Sequence, residues 1–362
     1  MGFALAWMGA PHPGWLAVVI ASIGVALLGG RLRRARSDGP IPRWRVLLVE
    51  EPYYAHWCAT VAAWPLLLIA ALGVMIHAAV TSTRDLGARL GAAALGAYGA
   101  ALVISTYGVA VRRRWVRVRT IDVPVAGLGA AFDGYRIAHL SDLHVGGLWP
   151  RRRAEGWIAR VRDLDVDLVA LTGDYVTHGN AFHDDVAAVL GALRGRDGAV
   201  AVMGNHDYFG DAEPLVARIR ARGVTMLRNE HLSLARGADA ITIAGVDDTW
   251  TRRADVRAAL TGAPAGQPII ALAHDPQLFP ELARRGAAVV LSGHTHWGQI
   301  AVPFLPTRLN LSRLSYRLHA GTYRAGGAVL YVSPGLGTTG PPIRLGAPPE
   351  ITVLRLRRAE RA

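Results

Sequence analysis

The chain has 362 residues, 51% of them hydrophobic, and a formal net charge of +13, a length that allows more than one structural unit. All 40 basic residues are Arg, which excludes a Lys nucleophile, a Schiff base and the lysine of a P-loop. The lone Cys58 excludes an intrachain disulfide and leaves the redox compartment unread.

The charge is uneven. Up to residue 120 there are 13 Arg against four acidic residues (Asp38, Glu50, Glu51, Asp85), so nine of the 13 net positive charges lie there. Such an excess ordinarily suggests a nucleic-acid partner. Here it flanks apolar runs, and membrane topology explains it better. Gly14 to Gly30 is 17 residues without a charge, at the short end of what a bilayer span needs. Its charges follow it rather than precede it, which favours an uncleaved span over a secretory signal. Residues 57–80 and 90–111 are uncharged runs long enough to cross, giving three expected transmembrane helices in a membrane region 1–120. His77 in the second run reads as an interfacial side chain rather than a proton relay.

Arg-rich loops set the orientation. Arg31, Arg33, Arg34, Arg36, Arg43 and Arg45 lie between the first two runs, and Arg112, Arg113, Arg114, Arg117 and Arg119 follow the third. The short segment between runs two and three holds only Arg84, Arg89 and Asp85. The expectation is a multi-pass protein of the inner (plasma) membrane with its N-terminus outside and residues 121–362 in the cytoplasm.

Beyond Arg119, short apolar runs alternate with Arg- and Ala-rich amphipathic segments, an α/β texture. Helices are expected at 154–164, 182–193, 213–221 and 276–285, and a last strand at 351–356. Five strand candidates end in metal-ligand types: RIAHLSDLH, DLVALTGD, AVAVMGNHD, PIIALAHD and AAVVLSGHTH. Ligand sites in open α/β sheets lie beyond the carboxyl ends of the strands, so these tips can converge. They bring Asp142, His144, Asp174, Asn205, His206, Asp207, His274, His294 and His296. All offer oxygen or imidazole and none a thiolate, a set that suits Mn, Fe or Zn. Phosphate-ester hydrolysis needs such a set: two cations about 3.5–4 Å apart lower the pKa of a bound water and draw charge off phosphorus.

The ordered motifs DLH, GD, GNHD, H and GHTH resemble the calcineurin-like metallophosphoesterase superfamily over residues 133–357. The resemblance implies a four-layer α-β-β-α sandwich behind an all-α transmembrane region. It implies two divalent metals, one held by Asp142, His144 and His296 and the other by Asn205, His274 and His294, with Asp174 bridging. His206 is then the nonmetal histidine that stabilises the transition state and protonates the leaving group, with Asp207 orienting its ring. The implied reaction is hydrolysis of a phosphomonoester or phosphodiester by metal-bound hydroxide. Some relatives instead cleave the pyrophosphate of UDP-2,3-diacylglucosamine, an alternative that a membrane anchor and a lipid-linked substrate would suit. Metal binding without turnover, in a signalling or scaffold protein, is the reading from another class, opposed by the complete residue set. A nuclease is opposed by the lack of a basic stripe in the second unit.

One departure is Trp297 after GHTH, where many membrane-anchored relatives carry a second glycine; Trp297 is expected to shape the substrate pocket. Arg344 is a candidate phosphate contact through its planar fork. His178 is a candidate substrate contact or a solvated loop residue, His139 reads as a core histidine, and Asp247 and Asp248 as either a turn or a rim.

Overall fold

The computed structural model describes residues 39–81 and 85–359, with isolated positions from Gly14 to Arg31. The expected first span, 14–30, falls largely outside the described residues. The chain divides into two compact units, the first comprising the described residues up to Arg112 together with Pro341–Ile343, the second the remainder.

In the first unit, two helices are long and apolar enough to cross a membrane: α1 (Arg43–Thr81) and α2 (Leu86–Arg114). Both extend past the uncharged runs at 57–80 and 90–111. α1 therefore takes in Arg43 and Arg45, which are expected in a loop. The Glu50 carboxylate accepts from Arg31 at 2.7 Å and from Arg45 at 3.2 Å, so two cations of the Arg-rich flank are paired. The Arg31 guanidinium also lies 3.6 Å from the centre of the Tyr53 ring.

The second unit carries twelve strands. β1 (Arg117–Ala126), β2 (Arg136–Leu140), β3 (Leu168–Thr172), β4 (Ala199–Val202), β5 (Thr225–Met226) and β12 (Glu350–Ala359) form one sheet, ordered β1-β12-β2-β3-β4-β5. β6 (Glu230–Arg236), β7 (Asp239–Val246), β8 (Ile269–Ala273), β9 (Ala287–Ser292), β10 (Gly321–Ala325) and β11 (Ala328–Val332) form the other, ordered β10-β11-β9-β8-β7-β6. Both are mixed. β2 to β5 run parallel in the first and β7, β8, β9 and β11 in the second, with antiparallel pairings at β12–β2, β6–β7 and β10–β11.

Alternation along the strands builds the layers, because successive side chains leave opposite faces. Ile137, Leu168, Ala170 and Val200 point to Ile243, Ile270, Leu272 and Leu291 of the facing sheet. Their neighbours Ala138, Leu140, Val169 and Leu171 point outward. There they meet Trp157 and Ile158 of α3 (Arg151–Arg162), Val186 and Leu190 of α4 (His183–Ala192), and Leu215 and Ile219 of α5 (Ala212–Ala221). On the other side Ala271, Val290 and Leu330 meet Val256 and Ala259 of α6 (Val256–Leu260) and Phe279 and Leu282 of α7 (Phe279–Arg284). This is the four-layer α-β-β-α sandwich. The carboxyl ends of the parallel strands of both sheets open on one edge, and the ligand tips follow from that.

Candidate metal centre

Each tip leaves its strand by a sharp turn. Asp142, His144, Asp174, His294 and His296 all have positive φ, between 47° and 68°. Residues with a Cβ rarely occupy the left-handed region, so the surroundings must hold these five. Glycine permits the close approach at Gly173, whose own φ is +86° and where a Cβ would collide with the Gly204 backbone. It does so again at Gly293, where a Cβ would run into Ser141 and Asp142. Backbone bonds register the tips: Asp142 N–H donates to Gly173 O at 2.9 Å and His144 N–H to Asp174 O at 3.0 Å.

The structure brings seven of the nine ligand-type residues to one place with donor atoms turned inward. Asp142, His144, Asp174 and His296 are all buried, and one donor atom from each lies within 4.8 Å of the others. His144 Nε2 and His296 Nε2 face each other at 3.1 Å, and His296 Nε2 is 3.3 Å from Asp142 Oδ1. Beside them, His294 Nδ1 lies 3.1 Å from Asn205 Oδ1 and 3.2 Å from His274 Nε2. Asp174 touches both groups. Its Oδ1 accepts from the His206 backbone N–H at 2.9 Å, while Oδ2 stands 3.3 Å from His274 Nε2 and 3.6 Å from His144 Nε2.

The donor chemistry fits cations. Burial pushes His144 down to about 3 and, with the charge of His274 added, His294 down to about 4; burial beside His144 holds His296 well below the usual range. Neutral imidazoles with converging lone pairs are what a divalent ion binds. Burial, with the Asp174 charge added, raises Asp142 to about 6 against the opposing charges of His274 and Arg344. Among the described residues His274 is the one imidazole pushed up, to about 10: burial opposes the charge, but the Asp174 carboxylate prevails and is itself held low by that partner. A cation between them would take over this role. His274 Nδ1 donates to Thr172 O at 2.7 Å, which fixes the ring with Nε2 toward the centre, the outer contact typical of ligating histidines.

Asp207 stands apart. The Asp207 carboxylate accepts four backbone N–H bonds, from Asp174 (2.9 Å) and Gly204 (2.9 Å) on Oδ2 and from Tyr175 (2.7 Å) and Val176 (3.2 Å) on Oδ1. It therefore clamps the Asp174 turn and does not orient His206 as expected. That ring is fixed by the Thr177 carbonyl, 2.7 Å from Nδ1, and packs edge-on against His144 with centroids 4.7 Å apart. Sequence spacing suggested otherwise because neighbours in a GNHD turn look like partners, while their side chains diverge.

Two substrate-contact expectations are corrected. Trp297 is 0% exposed, its indole N–H donating to Val332 O at 2.8 Å, and it packs with Ala301, Ala320 and Ala347 behind the centre. Arg344 is also fully buried: it donates to Gly337 O at 2.6 Å and reaches His296 Nδ1 at 3.3 Å, so it braces a ligand ring and its loop. His178 lies on an exposed loop. His139 is buried as expected, with Nε2 2.8 Å from Thr172 Oγ1. Asp247 accepts from Arg228 at 3.1 Å and from the Tyr208 hydroxyl at 2.5 Å, pinning the turn that carries His206.

Three rings that the motifs do not include lie against His294 and His206. Trp250, 61% exposed, lies 5.3 Å from the His294 ring, and the Tyr316 hydroxyl is 3.1 Å from His294 Nε2. Phe209 lies 4.6 Å from the His206 ring. Trp250 follows the strand-end pair Asp247 and Asp248, a signal that pointed to it; Tyr316 gave none.

The calcineurin-like phosphoesterase family profile matches residues 135–298. The chain is 31% identical over 244 residues to an uncharacterized metallophosphoesterase, YkoQ, of Bacillus subtilis, covering 66% of this chain and 89% of that one. The chain belongs to the calcineurin-like phosphoesterase family. It is also similar to a Danio rerio transmembrane protein with metallophosphoesterase domain, 32% identical over 71% of this chain and 61% of the relative, and 34% identical to its Bos taurus counterpart over the same shares. The chain thus spans about three fifths of the length of these two relatives. Two relatives of this phosphoesterase are named as transmembrane proteins, and its own apolar helices fit a membrane anchor.

Proposed function

We propose that the chain is a membrane-anchored phosphoester hydrolase that works with two divalent cations, Mn, Fe or Zn, on a phosphomonoester or phosphodiester. The observation that carries the reading is Asp174 Oδ2, which faces imidazoles from two separate ligand groups at 3.3 and 3.6 Å. Asp142, His144 and His296 would hold one ion, Asn205, His274 and His294 the other, with Asp174 common to both. When bound, the pair supplies an activated water and neutralises charge at phosphorus. The protein's own groups do the rest. His206, held at Nδ1 by the Thr177 carbonyl, keeps Nε2 available to hold a proton for the leaving oxygen. Asp207 fixes the turn from which Asp174 reaches both ions. Phe209, Trp250 and Tyr316 form a rim suited to the organic part of an ester, and the apolar helices favour a lipid-linked one, including a nucleotide-diphosphate lipid cleaved at its pyrophosphate.

The test is metal dependence read with Asp174→Ala. The full chain in detergent, stripped and reloaded, should hydrolyse bis-p-nitrophenyl phosphate only with metal. Asp174→Ala should hold less metal per chain than His144→Ala or Asn205→Ala, because its loss leaves two cations unscreened at short range. Full occupancy with retained activity in Asp174→Ala would refute the two-ion reading.

A further inference from the structure

Between the metal centre and β10 the chain makes an excursion that the proposed hydrolysis does not use. Ala301 bridges Asn310 in antiparallel fashion and Val302 N–H donates to Leu309 O at 2.8 Å, so residues 301–310 form a hairpin. Its base is pinned: Asn310 Nδ2 donates to Pro306 O at 2.8 Å and meets His319 Nδ1 at 3.0 Å, and Asn310 Oδ1 accepts from Ser312 Oγ at 2.7 Å. Its tip presents apolar side chains to solvent. Phe304 is 99% exposed and has φ of 71°, a left-handed conformation unfavourable for a bulky residue. Val302, Leu305, Leu309 and Leu311 are exposed too, and Leu314 is 85% exposed.

Apolar exposure of this density marks an interaction surface. The charge around it identifies the partner. Arg308, Arg313 and Arg317 are exposed in the same segment, and no acidic residue occurs between Glu281 and Glu350. Aromatic and aliphatic side chains interleaved with Arg, without a single carboxylate, match the interface of an anionic bilayer, where rings enter the acyl boundary and guanidinium groups meet lipid phosphates. The same chain carries two helices fit to cross a membrane. The segment then returns to the centre, for Tyr316 reaches His294 Nε2 at 3.1 Å and the Leu311–Ser312 backbone abuts Gly298.

We propose that residues 302–317 dock on the anionic surface of the bilayer, with Phe304 and Leu314 inserted and Arg308 and Arg317 on lipid phosphates, and so hold the hydrolytic centre at the plane of lipid headgroups. This rests on the proposed hydrolysis only for its consequence, delivery of lipid-borne phosphate esters; the docking itself is read independently of activity.

The test uses the full chain with Cys58→Ala, spin-labelled in turn at Phe304→Cys, Leu314→Cys and, as a control, Arg162→Cys. It is reconstituted in nanodiscs of phosphatidylcholine alone or with phosphatidylglycerol. Labels at 304 and 314 should gain oxygen accessibility and lose accessibility to a water-soluble nickel relaxant when phosphatidylglycerol is present, while 162 stays water-exposed. Combining Arg308→Gln with Arg317→Gln should lower the docked-to-undocked ratio by about tenfold or more. Water exposure at 304 and 314 in both discs, or lipid contact indifferent to lipid charge, overturns the proposal. So does dipolar coupling between labels without lipid contact, which would assign the face to a second copy. Hydrolysis of water-soluble bis-p-nitrophenyl phosphate by Phe304→Ser/Leu314→Ser should match the parent. Its presence without docking sinks the docking alone, and its absence in the parent sinks the hydrolysis alone.

Discussion

Replacing Asp207 by Asn removes half of a buried clamp. Oδ1 and Oδ2 each accept two backbone N–H groups, so whichever position becomes NH2 turns a donor toward two donors, at 2.9 and 2.9 Å or at 2.7 and 3.2 Å. Leaving a buried N–H unpaired costs about 1–3 kcal/mol. Two such losses are offset in part because Asp207, pushed up to about 7 by burial and by the Asp174 charge, no longer repels its neighbour. The net expectation is about 2–4 kcal/mol, or roughly a 5–15 °C drop in Tm for a unit of this size. The Asp174 turn has φ of 56°, and without its clamp it relaxes, drawing the shared carboxylate away from both ligand groups. A displacement of about 1 Å at such a group is worth roughly a hundredfold in rate. Thermal unfolding, elemental analysis and bis-p-nitrophenyl phosphate kinetics on the full chain in detergent would measure all three. Loss of metal and stability together with kcat supports the clamp. A variant with parental Tm and full metal content, but kcat reduced as in His206→Ala, would restore a role for Asp207 in orienting the ring and refute the argument.

His206→Ala should keep its metal and lose about 10²–10⁴ in kcat, less for p-nitrophenyl esters than for alkyl esters that need leaving-group protonation; equal losses on both would favour electrostatic stabilisation instead. His139, pushed down to about 3 by burial, folds neutral. Its contribution to stability is present above the unfolded value near 6.5 and is lost progressively as pH falls toward 3, so between pH 7.5 and 5.5 the parent should lose about 1.4 kcal/mol more than His139→Leu in matched unfolding curves. Equal acid sensitivity of the two would show that His139 is already charged in the fold. For the membrane arrangement, a reporter active only in the cytoplasm should work after residue 362 and stay silent within 81–89, and the reverse pattern would place the centre outside the cell.

The candidate site was legible in the sequence because parallel strands announce their carboxyl ends: an apolar run of four to six residues stops short of Asp, Asn or His, and five such stops occur in order. The same rule failed where a strand carries no apolar run. β1 reads RVRTIDVPVA directly after an Arg cluster and looks like the flank of a membrane helix, yet Val123 and Val125 alternate into the space between the sheets and the whole strand pairs with β12. Trp297 and Arg344 were misread for a related reason. An indole or a guanidinium beside a ligand motif suggests substrate contact, and only packing reveals that the Val332 and Gly337 carbonyls satisfy them in the interior. Least legible were the left-handed turns, since glycine is the usual sequence sign of positive φ and here Asp142, His144, Asp174, His294 and His296 adopt it themselves. Local preference opposes the native backbone at those five positions, so the turns persist only through longer-range restraints such as the Asp207 carboxylate, the Thr172 carbonyl on His274, and the Asp142 carboxylate that accepts from the His294 amide at 3.1 Å. Those restraints join residues 33 to 152 positions apart, which is why no short window of sequence contains them.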